Sequence, residues 1–460
     1  MIPRHSRVIA IDDVEDHLQK IVWGLGKAGF CAIPFLFLDG KLEDPPEHPL
    51  PGVRIVFTDI HLVGGGDHND TIHAANIIRC LKRVVADGPY VVVFWSQFVG
   101  DSDRIKVLIE ERAVQANLTS PVGYASIDKN EVLSLPALDG AERLRTLILE
   151  RLKPFKTLSV ALSWEDRAAR AAARTTDRLY EVVAEAEQPP VAWEQLLAHL
   201  ACQAVGPDEA SRDLKSALDE ALLPLLEDQL SLIGNEQGAP SEDLKSLHDL
   251  VSADAHPSRP VSVAASRLNT SYLIEEVGAG VAWLTWSRGV VTALGTNFIN
   301  SGPFVRAFGH DDGSLIRQEF ATRNLTADER RLAKLHVVEL GPECDHVNAK
   351  VSTHRYLLAL LIPTGLLGAF NGGVMKPGKS PQYRNDSVFD AGKFSLLPLS
   401  VGGQREEWHL LISCRCFMSL AARVPIEGKP RFRLRRALLE DVAHRYSTHA
   451  RRPGVMRFFG

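Results

Sequence analysis

RIVFTDIHLVGGG (residues 54–66) decides the fold of the first third of the chain. A run of β-branched and apolar residues stops at one carboxylate, Asp59, and dissolves into glycines. A short continuous apolar run bounded by turn residues fits a strand buried on both faces, and such strands belong to parallel sheets covered by helices. The neighbouring sequence keeps the same alternation. RVIAID (7–12) reads as a buried strand, VEDHLQKIVWGLGKAG (14–29) as an amphipathic helix ending at glycine, and CAIPFLF (31–37) as the next apolar run. Beyond residue 66, TIHAANIIRCLKRVVAD (71–87) has helical spacing, YVVVFWS (90–96) is a strand and DRIKVLIEERAVQA (103–116) a helix. VGYASID (122–128) and GAERLRTLILERLKPF (140–155) close the series. Residues 1–155 are therefore expected to be α/β, a doubly wound five-stranded parallel sheet with helices on both faces.

At 460 residues the chain is too long for one core. An apolar fraction of 45%, a charged fraction of 24% and a net charge of -5 are ordinary for a globular protein and point to neither nucleic acid nor membrane. Six cysteines in so long a chain make no disulfide framework and fit a reducing compartment. MIPRHSRVIAIDD reaches charge too soon for a signal peptide. Of two apolar stretches, GAGVAWLTWSRGVVTALG (278–295) carries Arg288, and YLLALLIPTGLLGAF (356–370) is short and contains Pro363. Neither reads as a membrane span, and the expected location is cytoplasmic.

Residues 156–255 read as a helical connector, including DEASRDLKSALDEALLPLLEDQLSLIG (208–234) with Leu214, Leu218, Leu222 and Leu225 at helical spacing. That stripe suits a bundle face or a homodimer contact. The stretch 235–262, rich in Gly, Pro, Ser, Asp and His, reads as a loop. Residues 256–460 are expected to form an α+β domain. Its β-leaning runs are LHVVEL (335–340), RYLLALLIP (355–363), KFSLLPLSV (393–401) and EWHLLISCRCF (407–417), before a last helix, RLRRALLEDVAHRYSTHA (433–450).

Open parallel sheets collect reactive groups at the carboxyl ends of their strands. Here those ends supply Asp12 and Asp13, Asp59, Ser96, and Asp128 followed by Lys129. Three carboxylates brought together repel one another and call for a divalent cation, and oxygen-only ligands with room for water favour Mg²⁺. With that charge neutralised, one carboxylate can attack a phosphoryl donor, while a hydroxyl and an ammonium hold the transferred oxygens.

On these residues the stretch 7–155 resembles the receiver domain of bacterial two-component response regulators, a flavodoxin-like fold. The resemblance implies that Asp59 accepts phosphate from a histidine kinase or phosphotransfer protein. It also implies that Asp13, Asp59 and the backbone carbonyl of His61 ligate Mg²⁺, that Asp12 acts through a bound water, and that Ser96 and Lys129 contact the phosphoryl group. Three positions depart from the family. Val63 stands where proline is usual, the bulky Gln97 follows Ser96, and Asn130 rather than proline follows Lys129. These departures bear on switching rather than on the chemistry. Lys106 competes for the lysine role, although it falls within a helical pattern. GGGDHND lacks the lysine of a phosphate-binding loop.

Nothing after residue 156 resembles a helix-turn-helix output domain, a cyclic-dinucleotide enzyme or a kinase core. Cys344 and His346 in ECDH, with Cys414 and Cys416 in SCRC, offer thiolate and imidazole ligands for Zn²⁺. Against zinc, alternation puts Trp408, Leu410, Ile412, Cys414 and Cys416 on one face, which suits core cysteines. From Lys429 onward nine Lys/Arg stand against two acids, a balance of +7 that suits a phosphate backbone or an acidic partner. No separate catalytic domain emerges. The chain reads as an atypical response regulator. The alternatives are a non-switching receiver used as a docking platform, and a receiver that gates a metal- or nucleic-acid-binding C-terminal domain.

Overall fold

A run of apolar residues with no polar alternation can be buried only if both faces of its sheet are covered, and the N-terminal strands meet that condition. The computed structural model describes residues 7–63, 69–236, 265–277, 283–341, 351–370, 387–397, 404–422, 424 and 426–450. Internal contacts divide the chain into two units: one runs to Thr176 and resumes at Glu227, and the other holds Asp177–Leu226 and the remainder from Ala253.

The N-terminal unit is mixed α/β. Its strands are β1 (Val8–Asp12), β2 (Ala32–Leu38), β3 (Lys41–Leu42), β4 (Ile55–Thr58), β5 (Val91–Ser96) and β6 (Gly123–Asp128). Five pair in parallel in the order β2-β1-β4-β5-β6, so the chain reverses its direction of travel across the sheet at β1. The sixth, β3, adds antiparallel outside β2 through a two-residue hairpin at Asp39-Gly40, both with positive φ (49° and 78°). That mirror-image turn is what an Asp-Gly pair favours. Along β1, Ile9 and Ile11 enter one core and Val8 and Ala10 the other.

The helices α1 (Glu15–Lys27) and α5 (Ala137–Leu152) cover the second face, while α2 (Asp70–Val84) and α3 (Ser102–Ala113) cover the first. Gly24 permits the close approach of α1 to α5, since a Cβ there would stand 2.3 Å from Leu144 Cδ2. The short α4 (Asn130–Leu133) starts directly after Lys129.

The described part of the expected 156–255 connector, to residue 236, holds α6 (Lys156–Glu181), α7 (Pro189–Val205), α8 (Pro207–Arg212) and α9 (Leu214–Glu236), and residues 237–255 lie outside the described residues. The 208–234 pattern is not one helix. It breaks at Asp213, whose carboxylate accepts the Ser216 N–H at 3.1 Å and begins a new helix.

The second unit contains a seven-stranded antiparallel sheet in the order β11-β12-β10-β9-β8-β13-β7. Its strands are β7 (Ile274–Glu276), β8 (Val290–Leu294), β9 (Lys334–Glu339), β10 (Thr353–Pro363), β11 (Val388–Leu396), β12 (Glu406–Ala421) and β13 (Gly428–Leu434). Both faces are buried, one under Phe304, Phe308 and Phe320, the other under Leu438, Leu439 and Val442 of the helix Arg436–Ala450. Double burial explains the unbroken apolar run of β10. Among the described residues no helix is long and apolar enough to cross a membrane.

Two expectations here are corrected. The last helix starts at Arg436, not 433, because Phe432 and Leu434 point inward at period two and belong to β13. The common face expected for 408–416 breaks at an irregularity between Ile412 and Phe417 in the β10–β12 pairing. Trp408, Leu410 and Ile412 enter one core, whereas Cys416 packs against the other. Across that irregularity β12 has an odd excess of residues over β10, and an odd insertion reverses strand parity.

Candidate functional site: a carboxylate cluster at the strand ends

Register brings the strand-end residues together. Ile11 pairs with Thr58, Thr58 with Phe94, and Ser96 with Asp128, so residues 12, 59, 96 and 129 finish at one edge. The Asp59 N–H continues the ladder to the Ile11 carbonyl at 3.1 Å, and the Lys129 N–H does so to the Ser96 carbonyl at 3.1 Å.

The centre of the site is Lys129, a lysine only 1% exposed. Its Nζ donates to Asp59 Oδ2 at 2.5 Å and lies 2.7 Å from Asp12 Oδ2. The second contact lacks hydrogen-bond geometry and is an ion pair held by charge. Asp12 Oδ1 accepts the Val14 N–H at 3.0 Å, and Asp59 Oδ1 accepts the His61 N–H at 3.3 Å. Burial pushes the Asp12 carboxyl up to about 7, although Lys129 opposes the rise. Burial and the nearby Asp59 charge push Asp13 upward as well. Asp12, Asp13 and Asp59 each offer a carboxylate oxygen, and these oxygens lie within 4.8 Å of one another. Among the described residues they form the one such His/Cys/Asp/Glu group able to hold a metal ion.

With all three carboxylates ionised, Lys129 leaves a net charge of -2. An oxygen-only set of that charge fits a hard divalent cation. Ser96 is fully buried at the same edge, its Oγ accepting the Phe98 N–H at 3.2 Å. Lys106 is elsewhere: its Nζ lies 5.7 Å from the Tyr124 ring centroid. Gln97 and Asn130 are exposed, and Val63 packs against the core.

Two features escaped the sequence reading. His17, in the first turn of α1, points Nδ1 at Lys129 Nζ (3.5 Å) and Asp12 Oδ1 (3.8 Å). Burial and Lys129 push its imidazole below the ordinary value. The His61 ring is stacked between His73 and Phe98, each centroid 4.1 Å away, and its Nε2 is 3.2 Å from Asp101 Oδ2. Only the position of His17 just after the acidic pair could have been noticed in the sequence.

Of the proposed zinc ligands, Cys344 and His346 lie outside the described residues. Cys414 is buried, and burial raises the half-buried Cys416 thiol. Several cations of the basic stretch are engaged. Arg436 bonds Glu440, Arg445 bonds Asp441, and Arg431 and Arg435 donate to the carbonyls of Leu397 and Ile274. Scanned against protein-family models, curated proteins and solved structures, the chain gives no match.

Proposed function

We propose that residues 7–155 are a flavodoxin-like receiver and that the chain is an atypical response regulator, with Asp59 accepting a phosphoryl group from a histidine kinase or phosphotransfer protein. The observation that carries this reading is the buried Lys129 ammonium shared by Asp59 and Asp12, with Asp13 and Ser96 at the same edge. Asp12, Asp13, Asp59 and the backbone carbonyl of His61 would hold Mg²⁺. When bound, that ion supplies neutralising charge for the transferring phosphoryl group.

The chain's own residues account for the rest. An Asp59 carboxylate oxygen attacks phosphorus as the bond to the donor imidazole nitrogen breaks. The product is an acyl phosphate, and the freed imidazole keeps the bonding pair. Lys129, desolvated and already directed at Asp59, stabilises charge on the phosphoryl oxygens where an ammonium has most effect. Ser96 accepts a bond through Oγ and retains its own hydrogen to give to one of those oxygens. Transfer adds a charge of about -1.5 to -2 at Asp59. Drawing Ser96 and Lys129 towards that charge biases the surface beside β5 and β6, and the change passes to the output region 256–460.

Exposed Gln97 and Asn130, flanking this surface, favour a second reading as a docking platform that does not switch. Hydrogen exchange separates the two. Slower exchange over residues 94–131 with Mg²⁺ and beryllofluoride is expected of the switching receiver. Unchanged exchange despite bound beryllofluoride would leave the platform.

A further inference from the structure

Lys129 Nζ has three hydrogens to give and three neighbours within reach: Asp59 Oδ2 at 2.5 Å, Asp12 Oδ2 at 2.7 Å and His17 Nδ1 at 3.5 Å. An ammonium is a donor only, so an imidazole nitrogen facing it has to present its lone pair, and the ring hydrogen then sits on Nε2. The neutral ring also leaves the cluster at -2, whereas an imidazolium would bring a second cation against Lys129 and oppose a divalent ion. The contact to Asp12 is close but poorly aimed, and a carboxylate oxygen drawn to a metal has less to offer an ammonium. His17 is carried by a helix whose next residue, Leu18, and Ile21 are anchored in the core, so its ring approaches from a fixed direction.

We infer that His17 is a positioning residue for Lys129. Its unprotonated Nδ1 accepts a hydrogen bond from the ammonium, which Asp12 holds only by charge, and so keeps Nζ aimed at Asp59 when Asp12 turns to a divalent cation. The inference deepens the receiver reading and rests on it for its kinetic consequence. The tether itself is a property of the chain that can be read without phosphorylation.

The experiment uses the full-length chain with ¹⁵N-labelled histidine and two His17 variants. Ring spectra with Mg²⁺ are expected to show Nδ1 of His17 as the unprotonated nitrogen, with a signal displaced in Lys129→Met. Phosphoryl uptake from phosphoramidate at saturating Mg²⁺ is expected to slow about tenfold in His17→Ala. Mg²⁺ affinity, read by tryptophan fluorescence, should stay within about twofold, as befits loss of an aimed ammonium rather than of a metal ligand. His17→Gln, whose amide oxygen replaces the acceptor, should recover most of the rate. A protonated Nδ1, a ring signal indifferent to Lys129→Met, or uptake in His17→Ala equal to wild type would overturn the inference. So would a His17→Gln rate as slow as that of His17→Ala. A wild-type chain that takes up no phosphoryl group would instead sink the receiver reading, and the ring spectrum alone would then decide whether His17 holds Lys129.

Discussion

The two sheets treat buried charge in opposite ways. At the edge of the N-terminal sheet, three carboxylates gather about one ammonium that contacts two of them, and the cluster keeps a surplus of negative charge. Against the C-terminal sheet, Glu319 of the helical segment Ile316–Phe320 is buried as deeply, yet it accepts hydrogen bonds from Ser387 Oγ at 3.0 Å, from Ser413 Oγ at 2.6 Å and from Arg415. Glu339 accepts the Gly341 N–H at 3.0 Å and lies 3.6 Å from His354. A buried charge met by several protein donors, as Glu319 is, holds the fold together. A cluster left with surplus negative charge suits a cation.

That contrast can be broken by removing one partner on each side. Lys129→Met should destabilise the N-terminal unit by about 3–5 kcal/mol in metal-free buffer, because two buried carboxylates lose their counter-charge. Mg²⁺ should recover part of that loss in urea melts, and no recovery would count against a cation site. Acid sharpens the contrast next. His336 is buried, and desolvation holds its ring down at about 4 against an ordinary 6.5, so the unfolded chain binds the extra proton. Stability of the C-terminal unit should be fully present above 6.5 and fall as pH drops towards 4, by about 3 kcal/mol, with His336→Gln flattening the profile.

Arg415→Ala, which leaves both serine hydroxyls on Glu319, should cost only about 1–2 kcal/mol, read from the same melts. Asp12 gives an effect of the opposite sign to that of His336. The Asp12 carboxyl is raised, so the metal-free folded unit binds the extra proton, and stability should decline as pH rises from about 4 through about 7. Asp12→Asn should remove that decline, as seen by thermal melts at several pH values.

The N-terminal architecture was legible because doubly buried strands leave unbroken apolar runs, and the cluster was legible because those runs end in Asp12, Asp59, Ser96 and Lys129. The hairpin at Asp39-Gly40 was also written in the sequence, as an Asp-Gly pair, but its second strand is two residues long and gives no periodic signal. Strand β13 escaped notice because KPRFRL alternates cations with apolar residues, a pattern that also suits a basic helix face. The parity reversal before Cys416 comes from an irregularity in pairing, which depends on a partner strand 53 to 60 positions away in the chain. His17 and the His61 stack depend on where rings point, and residue spacing does not record that.

The central claim is that Asp59 reacts. Intact-mass measurement of the full chain, incubated with phosphoramidate with and without Mg²⁺, tests it most directly. The expected result is one added phosphoryl group, dependent on Mg²⁺, labile to base and absent from Asp59→Asn. No addition in the wild type, or equal addition in Asp59→Asn, would contradict it.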